Sequence, residues 1–387
     1  MWKFVLRVAV AAVLILGVVV GVNYFVDASQ VITFRSQEQM AELVLAGNTV
    51  AVPENYNERV YQMALLERMK EMPSTIVLGS SRGTYLGEEV TGYPNLFNHC
   101  VSGACIEDYY AVPELYAEKF GKYPDRVIME ISPWVLNEYN PELRWIEIFS
   151  YRSTIEKLYE KLNGRKPEAK NEIVDTNPFD VDGKPFYSKE SPWFSLPYFQ
   201  YNCYVLSQKG LDALNGNPAR ISTDPDEAAE LPDGSVRNPA DQESPNPRRL
   251  AQVQAETGAV TFEYAHRMTE VGEKESTALE ALIKDLQDHG TEVMLFLAPF
   301  SPTQCSYSFD QNLNPGFRLA EAYLRDLAEK KNIRLIGGYD SRSFGLTDEQ
   351  YIDYSHPDKS AVRMVWESAS EITPNRRTHG FPGAVLC

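Results

Sequence analysis

The sequence predicts an α/β protein: a three-layer sandwich on a five-stranded parallel sheet, with an apolar helix in front and a long insertion within. Three observations predict it. Short, mainly apolar runs recur at residues 75–79, 96–101, 126–131, 293–298 and 333–337, the first of them rich in β-branched residues over Thr75–Leu78, as suits strands buried on both faces. Helical patterns fall between them, at Glu107–Phe120, around Leu279–Leu286 and at Phe317–Lys330. Strand, glycine turn, helix and strand in that sequence are the signature of βαβ units.

The N-terminus explains the apolar helix. Lys3 and Arg7 precede Val8–Val22, an unbroken apolar run of 15 residues that Tyr24–Val26 extend across Asn23 and Asp27 closes. That approaches the ~20 residues needed to cross a bilayer. The positive flank keeps the N-terminus in the cytoplasm and puts the bulk outside. We read the segment as an uncleaved anchor in the cell membrane. The alternative is a signal peptide cut near Val26-Asp27-Ala28, and bulky Tyr24 and Phe25 crowd that cut.

The chain then divides into a stalk and lead-in helix (31–72, helical over Tyr56–Met72), the α/β domain (73–372) and an irregular tail (373–387). Within Glu107–Phe120, Pro113 is expected to interrupt the helix. An insertion at 140–262 breaks the α/β rhythm on the ligand side of the sheet. It holds a helix over Trp145–Leu162 and an aromatic run, Trp193, Phe194, Tyr198, Phe199, Tyr201 and Tyr204. That run reads as a packing seam, with a sugar-stacking platform as the alternative. An acidic, Pro-rich stretch follows, with a turn at Leu231–Ser235.

Composition narrows the function. A formal net charge of −17 argues against nucleic acid, whose phosphates demand a basic surface. Five cysteines at scattered spacings make neither a disulfide framework nor a zinc site, although Cys100 and Cys105 either pair or remain buried thiols.

The chemistry gathers at strand ends. Ligands of open α/β sheets collect beyond the carboxyl ends of strands. There the chain places Ser81 in Gly79-Ser80-Ser81-Arg82, Gly103 after the second strand, Asn137 beyond the third, and Asp353-x-x-His356 after the fifth. A serine hydroxyl needs a base, and the imidazole needs an acid to set its tautomer. Of the five histidines, His356 alone follows a strand at the right end. His99 lies on the second strand, His266 and His289 fall at helices, and His379 lies in the tail. The competing reading makes Asp353 and Ser355 caps for the helix beginning near Ser360.

These blocks resemble the SGNH (GDSL-like) hydrolase superfamily, over about residues 72–370 apart from the insertion. Its serine takes third place in Gly-Asp-Ser, and the matching triplet here is Gly79-Ser80-Ser81. The resemblance therefore implies an SGNH/flavodoxin-like sheet, Ser81 rather than Ser80 as nucleophile, His356 as base and Asp353 as its partner. It also implies an oxyanion hole of the Ser81 and Gly103 amides. The superfamily's Gly-x-Asn-Asp block is replaced by Ile131–Asn137, where Asn137 or a backbone group takes the asparagine's place. The Gly-Ser-Ser-Arg form, the Pro-Trp block and the anchor look more like an exported branch. That branch includes the D-alanyl transfer proteins of teichoic acids and the alginate O-acetylation proteins, and implies a membrane-bound O-acyltransferase as partner. The expected function is a serine O-acyltransferase or esterase acting on a cell-surface polysaccharide or cell-wall polymer, with no metal or organic cofactor. The alternative is a non-catalytic scaffold on the same fold.

Overall fold

The computed structural model describes residues 1–29, 32–33, 35–53, 57–140, 142, 144–164, 192–215, 218–256 and 268–368. His266, His379, Cys387 and the tail lie outside these residues, as does the Lys- and Pro-rich middle of the insertion. The strands in chain order are β1 (Val50–Ala51), β2 (Thr75–Leu78), β3 (Leu96–Asn98), β4 (Arg126–Glu130), β5 (Ala229–Glu230), β6 (Val236–Arg237), β7 (Glu292–Leu297) and β8 (Arg334–Gly337). Five of them form one parallel sheet in the order β3-β2-β4-β7-β8. The short β1, β5 and β6 form a second, antiparallel sheet.

The principal helices are α1 (Trp2–Val26), α2 (Arg35–Leu45), α3 (Glu58–Arg68), α4 (Ile106–Phe120), α5 (Phe149–Asn163), α6 (Leu196–Lys209), α7 (Pro247–Glu256), α8 (Glu273–Asp288), α9 (Pro315–Lys331) and α10 (Lys359–Ser368). The parallel strands are apolar on both faces because helices cover both. Ile76, Val127, Met129 and Leu295 pack toward α3, α4, α8 and α9, while Val77, Ile128, Met294 and Phe296 pack toward α10. The period-2 alternation of side chains along each strand sends neighbours to opposite cores.

Four departures from expectation have physical causes. Pro113 sits inside α4 without ending it. Tyr109, Tyr110, Val112 and Tyr116 are buried around it, and burial at ~1.5–3 kcal/mol per large side chain offsets a proline cost of about 3 kcal/mol. Strand β3 is shorter than expected and ends at Asn98, whose N–H faces the outer edge and donates to the Asp233 carbonyl at 2.8 Å while its side chain donates to the Gly83 carbonyl at 2.9 Å. The Leu231–Ser235 turn thus covers the open edge of the sheet, which would otherwise invite pairing with another chain. The insertion is not independent of the lead-in segment, since β1 pairs with β5. Finally, the aromatic run is a seam on one side only. Trp193 stacks on Tyr24 of α1, 5.4 Å between ring centres, and Tyr198 donates to Asp27 at 2.6 Å. Phe194, Tyr201 and Tyr204 are exposed.

Helix α1 is long and apolar enough to cross a membrane, and none of the residues in its most apolar stretch is buried.

Candidate active site

Strand β2 leads into the site through Gly79. A side chain there would meet the Glu130 Cβ at 2.7 Å and the Cys100 sulfur at 3.0 Å. The missing Cβ lets the turn lie flat on the end of β4. Ser80 then points inward and is fully buried. Its N–H donates to Glu130 Oε2 at 2.8 Å and its hydroxyl to the same oxygen at 2.9 Å, with Ser132 Oγ 3.1 Å away. With Ser80 committed to the interior, Ser81 opens a short 3-10 turn, and its hydroxyl lies 2.7 Å from His356 Nε2.

The imidazole is held from behind. Asp353 Oδ2 lies 2.7 Å from His356 Nδ1. A carboxylate only accepts, which assigns the ring proton to Nδ1 and leaves Nε2 to accept from Ser81. The other oxygen, Oδ1, accepts from the N–H groups of Ser355 (2.7 Å) and His356 (2.8 Å) and from the Ser355 hydroxyl (3.0 Å). The Ile352 N–H closes the loop onto the His356 carbonyl at 2.8 Å. Burial by itself would push the Asp353 carboxyl up; the hydrogen bond and charge of His356, with the two backbone donors, outweigh it and hold the group well below the usual range. The helix-cap alternative is not what forms. Asp358 caps α10, accepting from the Ala361 N–H at 2.9 Å and the Ser360 hydroxyl at 2.6 Å.

Arg82 locks these loops together, and the sequence reading missed it. Its guanidinium is buried and donates to the carbonyls of Ser355 (3.0 Å) and Ala298 and to Ser132 Oγ (3.3 Å). It also stacks 3.7 Å over the Phe300 ring. One side chain therefore ties the ends of β2, β4 and β7 to the histidine loop. Burial pulls its pKa down and the Glu130 carboxylate opposes that. The available signal was an arginine directly after Gly-Ser-Ser, together with Glu130 closing an otherwise apolar strand.

The structure brings Ser81, His356 and Asp353 into one hydrogen-bonded chain. It sets Gly103 and Asn137 on adjoining loops of the same edge. The Val101 N–H donates to the Gly79 carbonyl at 2.9 Å, so the loops holding Gly103 and Ser81 leave the sheet side by side. Among the described residues, neither the Ser81 nor the Gly103 N–H has an internal acceptor. Gly103 has φ +62°, and a Cβ there would meet Arg144 and Glu142 within 2.9 Å. Asn137 is buried, and its side-chain oxygen accepts from the Tyr139 N–H at 3.2 Å, a bond within its own turn.

The site lies where strand order reverses, with β3 on one side of β2 and β4 on the other. That is the crevice in which open α/β sheets bind ligands. His99, by contrast, is a core residue just past β3, with ring nitrogens 2.5 Å from Gln62 Oε1 and 2.7 Å from the Tyr116 hydroxyl. Cys100 and Cys105 are both buried free thiols. Among the described residues, no three His, Cys, Asp or Glu side chains gather to hold a metal ion. No protein-family model matches this chain, and no curated protein matches it either.

Proposed function

We propose that the protein is a membrane-anchored serine acyltransferase or esterase of the SGNH type, acting outside the cytoplasm on a cell-surface polysaccharide or cell-wall polymer. The observation that carries this reading is the Ser81–His356–Asp353 chain, with 2.7 Å at each link. Ser81 Oγ attacks an acyl carbonyl while His356 Nε2 takes its proton, and Asp353 steadies the imidazolium. The free N–H groups of Ser81 and Gly103 receive the oxyanion, with Asn137 as the third donor. His356 then protonates the leaving group. The acyl group passes from Ser81 to a sugar or polyol hydroxyl, or to water, whose proton returns through His356. A membrane-bound O-acyltransferase is the proposed donor-side partner, on the strength of the anchor and the family resemblance.

The test uses the full-length protein in detergent, a serine-directed phosphonate and an acyl-ester reporter. Ser81→Ala is expected to abolish labelling and to cost on the order of 10⁴–10⁶ in kcat. Ser80→Ala is expected to keep labelling, since that hydroxyl faces Glu130. Labelling that survives Ser81→Ala removes Ser81 from the mechanism. A wild-type protein that never labels favours the scaffold alternative.

A further inference from the structure

We infer that the aromatic segment Trp193–Leu214 of the insertion is a membrane-interface element that embeds its outer face in the lipid beside α1. The inference rests on reading α1 as a membrane span. Trp193 stacks on Tyr24, and Asn23 donates to the carbonyls of Pro192, Trp193 and Ser195 at 3.0–3.2 Å. Asn202 donates to Asn23 Oδ1 at 3.2 Å and accepts from the Ala28 N–H at 3.0 Å. Helix α6 and the turns at both its ends all touch α1. The segment is therefore fixed to the span itself.

Length sets its depth. The basic residues Lys3 and Arg7 stop the inner end of α1 from sinking into hydrocarbon. Counted from Arg7, the ~20 residues and ~30 Å of a bilayer core end near Asp27. Residues 1–18 are exposed, whereas partners begin to cover α1 at Val19. The last two turns of the span therefore enter the membrane already carrying α6. The outer face of the segment suits that place: Phe194 is 59% exposed, Leu196 55%, Tyr204 62% and Leu211 79%. Apolar residues with interspersed tyrosine and tryptophan mark the membrane–water boundary. The buried polar pair Asn23–Asn202 is satisfied internally, as polar groups at that depth must be.

The experiment places p-benzoylphenylalanine in the full-length protein at Leu14, Tyr204, Leu211 or Asp326, all exposed positions. The variants are reconstituted in phosphatidylcholine–phosphatidylglycerol vesicles and irradiated, and lipid adducts are read by mass spectrometry. Adducts at Leu14, Tyr204 and Leu211 and none at Asp326 are expected. Adducts at Leu14 alone leave the span standing but overturn the interface element, handing its face to a protein partner. Absence of adducts at Leu14 overturns the span and the inference together.

Discussion

Asp353 divides its two oxygens between two tasks. One orients His356, and the other holds the backbone of the same loop. Asp353→Asn keeps the shape but can present an amide N–H to Nδ1, which stabilises the wrong tautomer. The expected result is a kcat loss of about 10⁴ with a much smaller change in Tm, measured by reporter turnover and thermal melting. His99 sets a different pH dependence. Burial lowers its pKa from 6.5 to about 3. Between those values the unfolded chain takes up a proton that the folded chain refuses, so stability is full above about 6.5 and erodes as pH falls, by at most ~1.4 kcal/mol per pH unit. Asp353, held low, adds its own loss only below the ordinary carboxylate range. Melting His99→Gln and wild type between pH 7 and 4.5 is expected to show a shallower Tm decline in the variant.

Among the elements, the turn after β2 is packed tightly against the end of β4. Gly79 and Gly83 both lie against Glu130 and Cys100, where an added Cβ comes within 2.7–3.0 Å. Glu130 is fixed by Ser80 and Ser132, so it has no room to give way. Gly79→Ala is expected to cost ~1–3 kcal/mol by overpacking and to lower turnover more than stability explains, because the shift moves Ser81. Denaturant melts and reporter kinetics on one preparation check both. The histidine loop is held differently, by Asp353, by the Ile352–His356 backbone bond and by Arg82 from beneath.

At the scale of the whole molecule, an acidic chain of net charge −17 carries an apolar helix whose C-terminal end is folded into the rest of the protein. A peptidase cut near Asp27 would sever Asn23 and Tyr24 from their partners in the insertion. The mature protein is therefore expected to retain Met1–Val26, to resist alkaline carbonate extraction and to leave the membrane only in detergent; N-terminal mass mapping checks the first. Much of this was legible in the sequence. Val8–Val22 had to be a helix in an apolar place, and short apolar runs separated by amphipathic helices had to be a parallel sheet, because burial on both faces suits such strands. Ser81, Asp353 and His356 were legible as strand-end residues for the same reason. Arg82, Glu130 and Ser132 were not, because a buried charge leaves no periodic trace and acquires its partners only when β2, β4 and β7 lie side by side. The pairing of β1 with β5, and the clasp of α6 on α1, join residues more than 150 apart in the chain. Local sequence determined what each segment is; which distant segments share hydrogen bonds was decided by tertiary packing, where contact free energy must exceed the entropy of closing such long loops.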